Sequence, residues 1–334
     1  MNRISVITAA ALVLAGACST VQAAGGDGPE FVRQPWTFAG FRGHFDTAQL
    51  QRGFQVYKEV CSSCHSLKRM AFRNLAEAGG PGYSEEQAKA AAAEWLHQIP
   101  EANAKGDVAD RKGNVLTRPA KASDPILGPY LNEAQARAAN NEALPPDLSV
   151  IIKGRGVEID RPFYRVPDGM VRDILSGYQE GGADYVYALL TGYTPVPSYV
   201  ADASGALTLA PKGAAGAKAC ASIDKGAPGK PDVCNAMQKG MNYNSHFSGH
   251  QIAMAAPLSD GTVKFAKPKA GDGRIAAGET VDQYARDVTA FLAWASDPKL
   301  EERKRMGMMV MLYLLATTIL LYLAKKRIWS KIPH

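Results

Sequence analysis

Between Asp46 and Cys61 the apolar positions fall at Leu50, Phe54, Tyr57 and Cys61, separated by four, three and four residues. That spacing is one face of a 3.6-residue repeat, and it predicts a helix with a single apolar stripe. Asp46, with Gln49 three residues on, supplies an N-terminal cap pattern. A second stripe, Val281, Tyr284, Val288 and Phe291 or Leu292, starts behind Thr280 and Gln283 and is closed by Pro298. Gly53 presents no side chain on the first helix, so an aromatic of the second can approach it closely.

Two further segments are apolar without a stripe. Residues 306–324, "MGMMVMLYLLATTILLYLA", carry no charge, and at 1.5 Å per residue they span about the 30 Å of a bilayer core. "EERKR" before them and "KKR" after them have the character of interfacial flanks, which favours a membrane anchor over a buried core helix. The first 23 residues have Arg3, an apolar run from Ile4 to Ala17 and "VQA" at the end, the pattern of a cleaved signal peptide. Cys18 lies one residue out of register with a lipoprotein cleavage site. The expected organisation is a signal peptide at 1–23, an exported domain at 24–305, a transmembrane helix at 306–324 and an internal tail at 325–334.

Charge changes the picture little. The chain has 334 residues and a net charge of +6. Without Arg3 and the seven Lys and Arg from 303 onward, and without Glu301 and Glu302, the exported domain holds 30 basic and 30 acidic residues. It is neutral, which gives no support to nucleic-acid binding. A protein partner must be met by a local patch. Glu77, Glu85, Glu86 and Glu94 are one acidic cluster suited to a basic partner, and a solvated helix face explains them equally well.

Four cysteines follow the signal segment. Cys220 and Cys234 bracket a Gly-, Pro- and Lys-rich stretch, and in an exported protein such a pair is expected to be a disulfide. Closing a loop of about 15 residues contributes on the order of 3 kcal/mol in the chain-entropy view. Cys61 and Cys64 are followed at once by His65. A redox pair would want a βαβ setting and zinc two further ligands, and neither pattern is visible. Cys-x-x-Cys-His is the attachment pattern of c-type haem. Thiols three residues apart share one helical turn and reach the two vinyl groups of one porphyrin, while the adjoining imidazole lies under the iron.

A sixth ligand closes the iron for electron transfer, and a methionine thioether there favours the ferrous state. Met70 is too near His65 in sequence to reach the opposite face easily, and Met306, Met308, Met309 and Met311 are in the anchor. Of Met170, Met237, Met241 and Met254, the last lies in "GHQIAMAAPLSDG", a small-residue segment able to run past a flat ring. His97, His246 and His250 are the alternatives.

The segments "WTFAGFRGHFDTAQLQRGFQVYKEVCSSCHSLKRM", "LPPDLSVIIKGR", "GGADYVYALLTGY" and "GHQIAMAAPL", with the basic-ended tail helix, together resemble the cytochrome c1 family in its bacterial form. The resemblance implies a mainly α-helical fold, an elaborated class I cytochrome c domain with a C-terminal anchor in the inner membrane and its haem in the periplasm. It implies Met254 as the axial methionine, Arg155 beside a haem propionate and Tyr185 lining the pocket. It also implies one covalent haem c, and passage of single electrons from a Rieske iron–sulfur protein to a soluble or anchored cytochrome c. That happens within a complex with cytochrome b and membrane lipid, where the assembly is the quinol-oxidising enzyme. No residue of this chain is expected to act as catalytic acid, base or nucleophile. Residues 156–180 and 201–235 look inserted and are read as surface loops. A tethered monohaem carrier of another chain, and an open-iron haem enzyme, are the competing readings.

Overall fold

The computed structural model describes residues 32–155, 181–202, 205–211, 214–225, 230–266 and 277–330. The expected signal peptide, the 156–180 insertion and Met170 lie outside those residues. Helix α1, Thr47–Glu59, is capped by the Asp46 carboxylate, which accepts from the Ala48 amide two residues in, rather than through the three-residue pattern with Gln49. Its buried residues are Leu50, Gly53, Phe54, Val56 and Tyr57. A 3-10 turn, Cys61–Ser63, follows directly.

Helix α6, Val281–Ser296, carries the second stripe; the Thr280 hydroxyl accepts from the Gln283 amide at its start. The two helices cross at Gly53. A Cβ built there would lie 2.1 Å from the Asp287 carbonyl oxygen and 2.6 Å from Phe291 Cβ, so glycine sets the approach. The crossing is filled by aromatics: Phe291 has ring centroids 5.6 Å from Phe54 and 5.9 Å from Tyr57. Burying each of these rings stabilises the fold by about 1.5–3 kcal/mol. Arg52 reaches across to the fully buried Asp287 with two bonds, of 2.7 and 3.0 Å. Residues 287–296 of α6 are buried all round, beyond the single stripe expected. The helix is covered on one side by α1 and on others by α4, Ile151–Gly154, and α5, Gly181–Thr191. Gly182 lets α5 meet α4, since a Cβ there would fall 1.8 Å from the Ile152 oxygen.

Between these lie α2, Glu85–Ala93, and α3, Glu133–Ala139. Short strands complete the domain: β1, Leu67–Ala71, pairs antiparallel with β4, Pro125–Ile126, and β2, Ile99–Pro100, with β3, Thr117–Arg118.

The inserted region expected as loop differs. Strands β5, Ser198–Ala201, β6, Leu207–Leu209, and β7, Lys218–Ala219, form one antiparallel sheet in the order β6-β5-β7. Strands β8, Ser222–Asp224, and β9, Val233–Asn235, form a hairpin beside it. The Cys220–Cys234 disulfide joins them, with Cα atoms 5.3 Å apart. Strands of two to four residues have too little alternation to be read from sequence; the cross-link and the sheet edge hold them.

Hairpin β10, Asn242–Tyr243, with β11, Gln251–Ile252, leads into the Met254 segment. Helix α7, Leu300–Trp329, is long and apolar enough to cross a membrane, and none of its apolar window is buried, unlike a core helix. Its first turn is fastened to the domain: Glu301 accepts from the Phe45 amide at 2.7 Å and Lys304 donates to the Phe38 carbonyl at 2.6 Å. Asp297 pairs with Lys153 at 3.2 Å and with Arg303.

Candidate functional site

The stripe of α1 delivers the chain to Cys61, and the tight turn that follows sets both cysteines and His65 together. The amides of Cys64 and His65 both donate to the Cys61 carbonyl, at 3.1 and 2.9 Å. In a 3-10 turn residues i and i+3 nearly eclipse, so the two sulfurs lie on one side. Both cysteines are free thiols and half-buried. Burial, reinforced by the neighbouring Cys64, pushes the Cys61 thiol up to about 12. Such a thiol is protonated and unactivated, unlike the low-pKa nucleophile of a disulfide oxidoreductase. Among the described residues no group of three His, Cys, Asp or Glu is placed to hold a metal, which leaves the zinc alternative without its remaining ligands.

His65 is fixed from two sides. Tyr57 donates its hydroxyl to the His65 carbonyl at 3.0 Å. His65 Nδ1 lies 2.8 Å from the Pro146 carbonyl oxygen, which only accepts, so Nδ1 carries the proton and the free lone pair is on Nε2. Burial lowers the imidazole pKa against the opposing pull of that bond and of Asp147, which favours the neutral, ligating form. Nothing in "LPPDLSVIIKGR" marks the Pro146 carbonyl as this acceptor, because a backbone oxygen has no signature in a sequence.

Asp147 is the hinge of the arrangement. Its Oδ2 accepts from Ser66 Oγ and the Lys68 amide, both at 2.8 Å, and its Oδ1 from the Ser149 amide at 3.0 Å. The Leu148 amide donates to the Ser66 carbonyl at 2.9 Å. The segment bearing Pro146 is thus laced to the residues just after His65.

The other expected residues are placed as follows. Met254 is half-buried in the irregular segment after β11, between the buried Ile252 and Leu258. Arg155 ends α4, exposed. Tyr185 is half-buried on α5; burial raises its phenol pKa, and the Arg155 charge opposes that. Met70 is packed in the core. His97 Nε2 is engaged by the Ser62 carbonyl at 2.8 Å, and His250 Nδ1 faces the Asn244 carbonyl at 3.3 Å. Met237 and Met241 are partly buried beside β10. The acids of the candidate docking patch are partly spent locally: Glu94 pairs with Lys58 at 3.3 Å and Glu77 accepts from Asn74 at 2.7 Å.

The donor set fits a c-type haem. Two unpaired thiols on one turn precede an imidazole whose Nδ1 is tied to a carbonyl and whose Nε2 is left for iron.

Comparison with known proteins agrees. A family model, described as the Cytochrome C1 family, matches residues 36–332. Cytochrome c1 of Blastochloris viridis is 37% identical over 319 residues, covering 96% of this chain and 93% of that protein. Cytochrome c1 of Rhodospirillum rubrum is 34% identical over 310 residues, covering 90% of this chain and 88% of its relative. A cytochrome b/c1 polypeptide of Bradyrhizobium diazoefficiens is 37% identical over 328 residues; these are 98% of this chain but 39% of that longer protein. With the match running from the first buried tryptophan to the end of the anchor helix, this chain belongs to the cytochrome c1 family.

Proposed function

We propose that Cys61 and Cys64 bind one haem c through thioether bonds, that His65 Nε2 is its proximal ligand and that the Met254 thioether is its distal ligand. The chain is the electron-transfer subunit of a cytochrome bc1 complex, and its cofactor is covalent haem c. When bound, the haem holds one electron at a time as its iron cycles between the ferric and ferrous states. The polypeptide positions and tunes that centre. His65 is oriented by the Pro146 carbonyl, and Tyr57 fixes its backbone. The soft thioether sulfur of Met254 would favour the reduced state. Arg155 is the guanidinium for a haem propionate, which welcomes charge-assisted bonds, and Tyr185 lines the pocket.

The electron comes from the Rieske iron–sulfur subunit and leaves to a soluble or anchored cytochrome c, with cytochrome b and membrane lipid around the anchor helix. The haem domain faces the periplasm and residues 325–334 the cytoplasm. The signal-like residues 1–23 support that orientation, because haem attachment at Cys-x-x-Cys-His takes place outside the cytoplasm.

The observation that carries the reading is the His65 Nδ1 bond to Pro146 beside two unpaired cysteines. The experiment is the ferric absorption spectrum of the wild type and of Met254→Leu. A methionine-to-iron charge-transfer band in the wild type, lost in the variant, is expected. A wild-type iron with a vacant sixth position, binding cyanide readily, would overturn the carrier assignment.

A further inference from the structure

The ligand segment "AMAAPL", residues 253–258, has little of its own to hold it: small side chains, no regular structure beyond Ile252 and a half-buried Met254. A thioether is a weak ligand, so the backbone that carries it has to be fixed from outside. We infer that Tyr193 is that clamp, a positioning residue whose hydroxyl donates to the Met254 carbonyl at 3.1 Å and holds the loop at the haem. This inference rests on the assignment of Met254 as distal ligand.

Tyr193 is itself well anchored. It stands two residues past the end of α5, behind Gly192. A Cβ at Gly192 would lie 2.8 Å from the Ala188 carbonyl oxygen and from His246 Cδ2, and 2.9 Å from Asn244 Oδ1, so the glycine admits the 244–246 segment against the helix end. Ser245 uses that approach twice, donating its amide and its hydroxyl to the Gly192 carbonyl at 3.0 and 3.1 Å. Asn244, fully buried, donates to the Leu189 carbonyl at 2.8 Å and accepts from the amides of His246 and Phe247. The same chain segment forms β10, whose pairing of Asn242 with Ile252 delivers β11 to Met254. Helix end, hairpin and ligand loop therefore make a closed circuit, and the Tyr193 bond is the link that touches the ligand residue. Burial raises the phenol pKa, so the hydroxyl stays protonated and donating through the physiological range.

The test uses the full haem-loaded chain in its membrane complex, with Tyr193→Phe, Met254→Leu and, as a control, Tyr187→Phe, whose hydroxyl, on α5 itself, serves Asp282 instead. Two readouts report the sulfur–iron bond: the ferric charge-transfer band and carbon monoxide binding to the ferrous form. Losing one hydrogen bond is expected to raise the carbon-monoxide-accessible fraction roughly tenfold in Tyr193→Phe. The band should weaken, while Tyr187→Phe behaves as wild type. Asn242→Ala removes the longer 3.4 Å bond to the neighbouring Ala253 carbonyl and should shift both readouts the same way by less. Wild-type behaviour in both Tyr193→Phe and Asn242→Ala, with the band lost in Met254→Leu, overturns the clamp alone. A band that survives Met254→Leu overturns the ligand assignment, and the clamp with it.

Discussion

Asp147 shows what a single carboxylate does for this site. Burial pushes its pKa up, but the bonds from Lys68, Ser149 and Ser66 outweigh that and hold it below the ordinary carboxylate range. A depressed native pKa contributes stability that is complete above the unfolded value of about 4 and vanishes as the pH falls through the native one. Asp147→Ala should therefore cost about 2 kcal/mol at neutral pH, discounted for its partial exposure. The difference from wild type should shrink as the pH falls below the unfolded value and through the lower native one. Urea denaturation of both proteins across that range is the check, and a gap that widens on acidification would contradict the account. The sequence made Cys61, Cys64 and His65 legible because haem attachment is a local constraint, written within five residues. The partners of His65 were not legible: Pro146 and Asp147 lie some eighty residues on, and a backbone carbonyl leaves no mark of its own in a sequence.

At the scale of elements, the crossing of α1 and α6 was readable in advance because two 3.6-residue stripes and one glycine define it. Gly53→Ala places a methyl against the Asp287 carbonyl, and backbone on both sides cannot yield as a flexible side chain would. We expect a loss of about 3 kcal/mol, seen as a lowered thermal midpoint, from the forced separation of the helices. Arg52→Ala tests the same crossing differently. It strips the buried Asp287 of its guanidinium and leaves Gln283 as the donor at 2.9 Å, which should cost about 3 kcal/mol. A neutral result would mean that water reaches the carboxylate. The stripe on α6 underestimated its burial because helices that pack on a third side add no second periodicity to the sequence. The Thr289 hydroxyl, buried and without a hydrogen-bond partner among the described residues, lies on that same face, though patterning reads it as polar. In the 201–235 region the disulfide was legible from the Cys spacing, whereas its strands were not, since pairing partners rather than propensity define elements so short.

Over the whole molecule, the anchor helix and the haem domain are joined as one piece. Glu301 and Lys304 do not simply mark a membrane boundary; they bond the backbone of Phe45 and Phe38, and the Phe38 ring packs against both Phe45 and Trp36. Trp36 in turn donates to the buried Asp184 of α5 at 2.8 Å, the helix that carries Tyr185. A short "EERKR" reads from sequence as interfacial charge, and only the folded chain assigns Glu301, Arg303 and Lys304 to structural bonds. The consequence is a sharp dependence on where the anchor is cut. A chain ending at residue 305 keeps both bonds and should be water-soluble, with the haem spectrum and thermal midpoint of the intact domain. A chain ending at residue 299 loses both and should be less stable by about 2 kcal/mol. The loss should appear first at the aromatic segment, as earlier exposure of Trp36 to a fluorescence quencher. Equal stability of the two truncations would show that the fastening carries no load.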